Sequence, residues 1–161
     1  PHGLPPFMSV AYPNPSCPLQ LRQAAADAAQ AGADVMVAVL DGAIVALEMG
    51  RASLLEGQWQ HAARQILATC QLLQALRDNV DVLGGDPLAA NLAELYDYAG
   101  QKVGLAAAAK SRAPLDEVWH LLKEVRAAWF ALPAAARMKA ARPATALQMW
   151  SPGSCSMVPI Q

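Results

Sequence analysis

The chain has 161 residues, 55% of them hydrophobic, 16% charged and 6% aromatic, with 12 basic and 13 acidic side chains for a formal net charge of −1. That length suits one domain with a modest core. The apolar content and near-zero charge exclude a disordered chain, and the lack of surplus cations argues against binding nucleic acid through its phosphates. Ala and Leu dominate while β-branched and aromatic residues are few, which favours helix over strand.

In chain order, residues 1–18 carry Pro1, Pro5, Pro6, Pro13, Pro15 and Pro18. Such density of proline blocks helix and sheet pairing, so an extended segment is expected. Met8-Ser9 reads as a candidate natural start, and no secretory signal pattern precedes it. Leu19–Ala31 is rich in helix formers with few large apolar groups, a helix with little to bury. A strong helix is expected from Asp34 to about Glu56, with Val37, Leu40, Ile44, Leu47 and Leu54 as its stripe. Gly57 breaks it. A second helix runs from Gln58 to about Val82 on Trp59, Ala63, Ile66, Cys70, Leu73, Leu76 and Val80, ended by Gly84-Gly85.

Asp86-Pro87 starts a third helix as N-cap and first-turn proline. Its stripe is Leu88, Leu92, Leu95, Ala99, Val103 and Ala106, and Lys110-Ser111-Arg112 closes it. Pro114 opens a fourth, on Leu115, Val118, Leu122, Val125, Trp129 and Leu132, the cleanest alternation of three- and four-residue steps in the chain. Ala134–Ala141 is a further short helical stretch before a Pro/Gly/Ser tail. Short turns make neighbouring helices antiparallel. The expected fold is all-α: an antiparallel up-down bundle of four long helices, with room for short helices at both ends. The expected organisation is an extended segment at 1–18, the bundle at 19–132, and an extension at 133–161 that is partly helical.

Chemistry-bearing motifs are weak. Glu117-x-x-His120 has the spacing of a bundle metal ligand pair, but such a site needs a second copy, and neither His2, in the extended N-terminus, nor His61 has a Glu three residues before it. Cys17, Cys70 and Cys155 show no CxxC spacing, so no disulfide framework or zinc site is indicated, and a reducing compartment is the simplest reading. No nucleophile elbow or phosphate loop is present, so no catalysis is expected. No stretch is long and apolar enough for membrane insertion.

Two features need a reason. Asp41-Gly42 interrupts an apolar helix at a cost of about 1 kcal/mol for the glycine, so a compensating reason is expected, such as close approach of another backbone at Gly42. Leu95-Tyr96-Asp97-Tyr98 sweeps most of a helix circumference, so a Tyr or Asp97 faces a partner or a neighbouring helix.

Asp41-Gly42-Ala43-Ile44, then Asn91-Leu92, then Leu95-Tyr96-Asp97-Tyr98, then Leu122 with Val125-Arg126 and Trp129, resemble the FliS family of flagellar export chaperones over roughly Gly32 to Leu132. The resemblance implies a cytoplasmic helical chaperone without catalysis or cofactor. It implies binding of the disordered C-terminal segment of flagellin, which prevents premature polymerisation, and delivery to the cytosolic domain of the type III export gate. It also implies that an N-terminal Ala-Tyr pair, here Ala11-Tyr12, covers part of the groove in the free state. This sequence departs from the family in about ten extra residues within Pro13–Ala31, in Leu40 where a Tyr is usual, and in the extension after Pro133. The expected partner contacts are Leu40, Ile44, Leu47, Asn91, Leu95, Tyr96 and Tyr98, with Tyr12 as a displaceable cover and Met36 and Met49 as adaptable additions. The stretch 134–150, with Met138, Leu147, Met149 and Trp150, is read as able to fold back into a groove. The alternative function is a helical adaptor or regulator on the same scaffold with a non-flagellin partner.

Overall fold

The computed structural model describes the backbone of residues 18–143 and the side chains of 22–143. Five α-helices follow one another: α1 (Pro18–Leu55), α2 (Trp59–Asn79), α3 (Pro87–Ala109), α4 (Ala113–Ala131) and the short α5 (Ala134–Ala140), with a 3-10 turn at Val82–Gly84. The four long helices form a closed ring, α1 on α2, α2 on α3, α3 on α4 and α4 on α1, and α5 packs on α1. The architecture is the expected all-α bundle. No described helix is long and apolar enough to cross a membrane.

The connections follow from local chemistry. α1 ends in a Schellman motif: Gly57 takes φ +72°, its N–H donates to Leu54 O at 3.2 Å, and Gln58 N–H donates to Ser53 O at 2.8 Å. The Asp86 carboxylate accepts from Leu88 N–H at 3.2 Å, and Pro87 takes the first turn of α3. At the α3–α4 turn Lys110 adopts φ +48°, and Ser111 N–H donates to Ala106 O at 3.1 Å.

The structure differs from the sequence expectations at several points. The weakly apolar stretch before Asp34 is continuous with α1, making one helix of 38 residues. α2 stops at Asn79, well before Gly84-Gly85, because Val80 leaves the helix to pair with Ala141. Asp81 N–H donates to Ala140 O at 2.9 Å and Arg142 N–H to Asn79 O at 2.7 Å, so α5 and the chain after it are tied to the end of α2. The close backbone approach lies at Gly32 rather than Gly42. A Cβ on Gly32 would overlap the Arg142 carbonyl, whereas one on Gly42 would meet only the Leu72 side chain at 3.6 Å. The described part of the 134–150 stretch therefore folds back onto α1 and the end of α2. Leu147, Met149 and Trp150 lie outside the described residues, as do Tyr12, Cys17 and Cys155.

The core draws Met36, Leu40 and Leu47 from α1, Leu73 and Leu76 from α2, Tyr96 and Val103 from α3, and Leu115, Val118, Leu122 and Trp129 from α4. α4 buries its expected stripe from Leu115 to Trp129, while Leu132 follows the helix as its C-cap and is half-buried. α2 is rotated from its expected seam: Ala62, Ile66, Thr69, Leu73, Leu76 and Asn79 face inward, while Trp59, Ala63 and Cys70 are half-buried. Thr69 tolerates the interior because its hydroxyl donates to Gln65 O at 2.8 Å.

Candidate functional site

Helices α3 and α4 do not close on each other along their whole length. Between them lies a cavity of about 250 Å³ lined by Leu88, Asn91, Leu92 and Leu95 from α3, by Val125, Ala128 and Trp129 from α4, and by Leu132 at the C-cap of α4. Each wall repeats the spacing i, i+3, i+4, i+7, so each is one face of two helical turns, about 10 Å long. Asn91 is the one polar side chain among these eight, and it is exposed. Small Ala128 opposite leucines leaves the gap: the α4 wall has no large side chain there to fill it.

Polar braces close the groove at one end. Tyr98 on α3 donates its hydroxyl hydrogen to Glu117 on α4, and Lys102 forms an ion pair with the same carboxylate at 3.3 Å. The Tyr98 hydrogen bond, and then the lysine, hold Glu117 below its ordinary pKa, while the same contact with Glu117 raises that of Tyr98. Glu117 is thereby committed to α3. Asp97 turns the other way and pairs with Arg77 of α2 at 3.2 Å.

The opposite side of α4 meets α1 differently. Arg126 donates to Asp41, Arg51 to Asp116, and Trp119 Nε1–H to Glu48 at 3.1 Å. Arg51 and Lys123 lie over the Trp119 ring, each 4.2 Å from its centroid. Arg112 also donates to Asp116 at 3.1 Å. Burial opposes ionisation of Asp116, but the two guanidiniums outweigh it and hold the carboxyl below its usual range. The polar Asp41 in an apolar helix thus has its reason: it anchors Arg126 across the α1/α4 seam.

The family model for the flagellar protein FliS matches residues 19–136. The chain belongs to the FliS family. It is also similar to the flagellar secretion chaperone FliS of Vibrio cholerae serotype O1, with 25% identity over 95 residues, covering 59% of this chain and 70% of the Vibrio protein.

The structure distributes the expected contact residues of this FliS-family chain unevenly. Asn91 and Leu95 stand together in the α3/α4 groove, and Tyr98, 43% exposed, stands at its braced end. Leu40, Leu47 and Tyr96 lie in the core at 1%, 1% and 2% exposure, so none of them is presented on the surface. Ile44 is also buried and lines a second groove, between α1 and α4, with Val45 and Ala127. Met36 is core, whereas Met49 is exposed. The Tyr96 hydroxyl and Trp129 Nε1 are buried without a hydrogen-bond partner among the described residues, and burial raises the Tyr96 pKa strongly.

Sequence reasoning does not name Leu88, Leu92, Val125, Ala128, Trp129 or Leu132 as partner contacts. All but Ala128 read as bundle stripe, with Leu92, Val125 and Trp129 also carrying the family resemblance. The available signal was that Leu88 and Leu132 are the terminal members of facing stripes, where a neighbouring helix has least to offer as cover. Ala128 carried none, because an alanine in an alanine-rich helix does not announce a gap.

Proposed function

We propose that this FliS-family protein is a flagellar secretion chaperone whose α3/α4 groove receives the C-terminal segment of flagellin. The observation that supports this most is the groove itself: an open apolar trough with both walls at helical spacing, on a bundle whose other described seams carry polar side chains. A trough of this kind accepts apolar side chains from a helix laid along it. Ordering a disordered client costs about 2–5 kcal/mol, so the groove is one station along a larger wrapped surface.

In this reading Leu88, Leu92, Leu95 and Leu132 supply apolar contact, and Asn91 hydrogen-bonds the client backbone. Leu40, Leu47 and Tyr96 act from the core by holding the walls in place. Tyr98 frames the groove, and Ile44 serves the α1/α4 side. Tyr12 covers the groove before the client arrives. Holding the segment prevents premature polymerisation, and the complex passes in the cytoplasm to the export gate. The protein does this by binding alone, without catalysis or cofactor.

Calorimetric titration with the C-terminal peptide of flagellin from the same cell tests the proposal. Saturable binding with a negative heat-capacity change and added helicity is expected. Leu95→Asp, at a half-buried groove position, should abolish binding while the circular dichroism of the bundle is retained. Undiminished binding by that variant would refute the assignment of the groove, and no binding by the native chain would favour an adaptor with a different partner.

A further inference from the structure

Each helix that walls the α3/α4 groove carries an exposed glutamate one helical turn from a residue that lines it. Glu94 follows Asn91 by three residues on α3, and Glu124 precedes Ala128 by four on α4, so each shares a helix face with a groove-lining residue. Both glutamates are exposed. The carboxylates that form ion pairs among the described residues are Asp41, Asp97, Asp116 and Glu117, which leaves Glu94 and Glu124 outside every described pair. Of the cations near these helices, Arg137 lies with Trp129 and Phe130 in the pocket toward α1. Lys123 lies over Trp119 and Arg126 is bound to Asp41, both toward α1, and Lys102 is neutralised by Glu117 at the braced end.

We infer that the occupant of this groove is an amphipathic helix carrying lysine or arginine beside its apolar anchors. The inference rests on the peptide-binding reading of the groove and adds the charge of what enters it. The apolar floor fixes anchor spacing but accepts any large aliphatic side chain. The two rim carboxylates add what the floor lacks: attraction for flanking cations and repulsion of flanking acids. Charge complementarity therefore selects among helices that present the same leucines.

Two end-blocked helical peptides test this, with identical leucines at i, i+3, i+4 and i+7. One is flanked by lysines and the other by glutamates. The lysine peptide should bind the full chain about five-fold more tightly at low salt. The ratio should shrink toward unity as salt rises, since exposed charges are screened. In the double variant E94Q/E124Q the preference should vanish while binding of the lysine peptide persists at reduced affinity. Equal affinities for the two peptides, failure of both to bind, or a preference that survives in the double variant would each overturn the inference. A parallel titration with the flagellin peptide separates the two ideas. If the native chain and the double variant bind it equally, the acidic rim is irrelevant while the chaperone reading stands. If the native chain does not bind it yet retains the lysine preference, the chaperone reading fails while the rim assignment stands.

Discussion

Helix α4 faces two neighbours and treats them in opposite ways. Toward α1 its seam is roofed by charge: Arg126 on Asp41, Arg51 and Arg112 on Asp116, and Trp119 held between Arg51 and Lys123 with its N–H on Glu48. Toward α3 the cross-braces among the described residues are those on Glu117, and beyond them the seam opens into an apolar trough. The same helix thus shows that a seam stays open where polar braces are lacking among the described residues and a small Ala128 stands opposite leucines. The cost is an apolar surface left to water, and the gain is a place where another chain can bury its own.

The strongest way to break that contrast is to remove the wall between the two sides. Trp129 lines both the α3/α4 groove and a second pocket against α1 and α5, and it is 2% exposed. Trp129→Ala should cost about 3–5 kcal/mol of stability, read by urea unfolding, because it leaves a large cavity at the centre of the bundle. A loss below about 1 kcal/mol would mean that the flanking helices collapse into the space, and the two seams are then not separately supported.

Next comes the junction at Gly32, where the Arg142 carbonyl sits in the space a side chain would take. Gly32→Ala favours helix by about 1 kcal/mol on propensity, so any net destabilisation measures the clash. A net loss of about 1–2 kcal/mol is expected. Faster amide exchange at Asp81 and Arg142, whose N–H groups pair across this junction, should accompany it. Unchanged exchange at both would show that the segment after α5 shifts without losing its pairing.

A smaller change separates binding from stability. Ala128→Leu fills the groove from the α4 wall. Stability should stay within about 0.5 kcal/mol of the native value, while affinity for the flagellin peptide should fall about ten-fold, a loss of about 1.4 kcal/mol. Equal affinity in that variant would move the peptide to another seam.

What the sequence made legible follows the same divide. α4 could be read almost completely because large apolar residues alternate cleanly and small or polar ones do not intrude on its stripe. On α2 the interior takes Thr69 and Asn79, and no periodicity of apolar residues can point to them; Thr69 is satisfied only by a bond to its own helix. Likewise the break at Val80 depends on pairing with Ala141, some sixty positions away, which local signals cannot carry. In the groove, Asn91 and Leu95 were reachable as motif residues. Leu40, Leu47 and Tyr96 come from the same family motifs or the same apolar stripe, but those sequence features do not reveal which way a side chain turns. The partner of Asp41 was equally hidden, because Arg126 lies 85 residues away.

The mildest perturbation is acid, and it discriminates between the braces on the two sides of α4. Glu117 is held below its ordinary value of 4.5 by Tyr98 and Lys102, and Asp116 below 3.8 by Arg51 and Arg112 against the opposing effect of burial. A carboxyl whose folded pKa is depressed contributes stability above its unfolded pKa and loses it as pH falls through the folded value. The melting temperature should therefore decline as pH drops below 4.5, with a further contribution from Asp116 below 3.8. Glu117→Gln should remove the first part of the decline and leave the second, and Asp116→Asn should do the reverse. Because Glu117 is exposed, its share is small and should diminish further at high salt, whereas the more sheltered Asp116 pair should resist screening. A decline identical in both variants would mean that neither carboxylate braces α4, and the groove would then end where apolar packing resumes rather than at Tyr98.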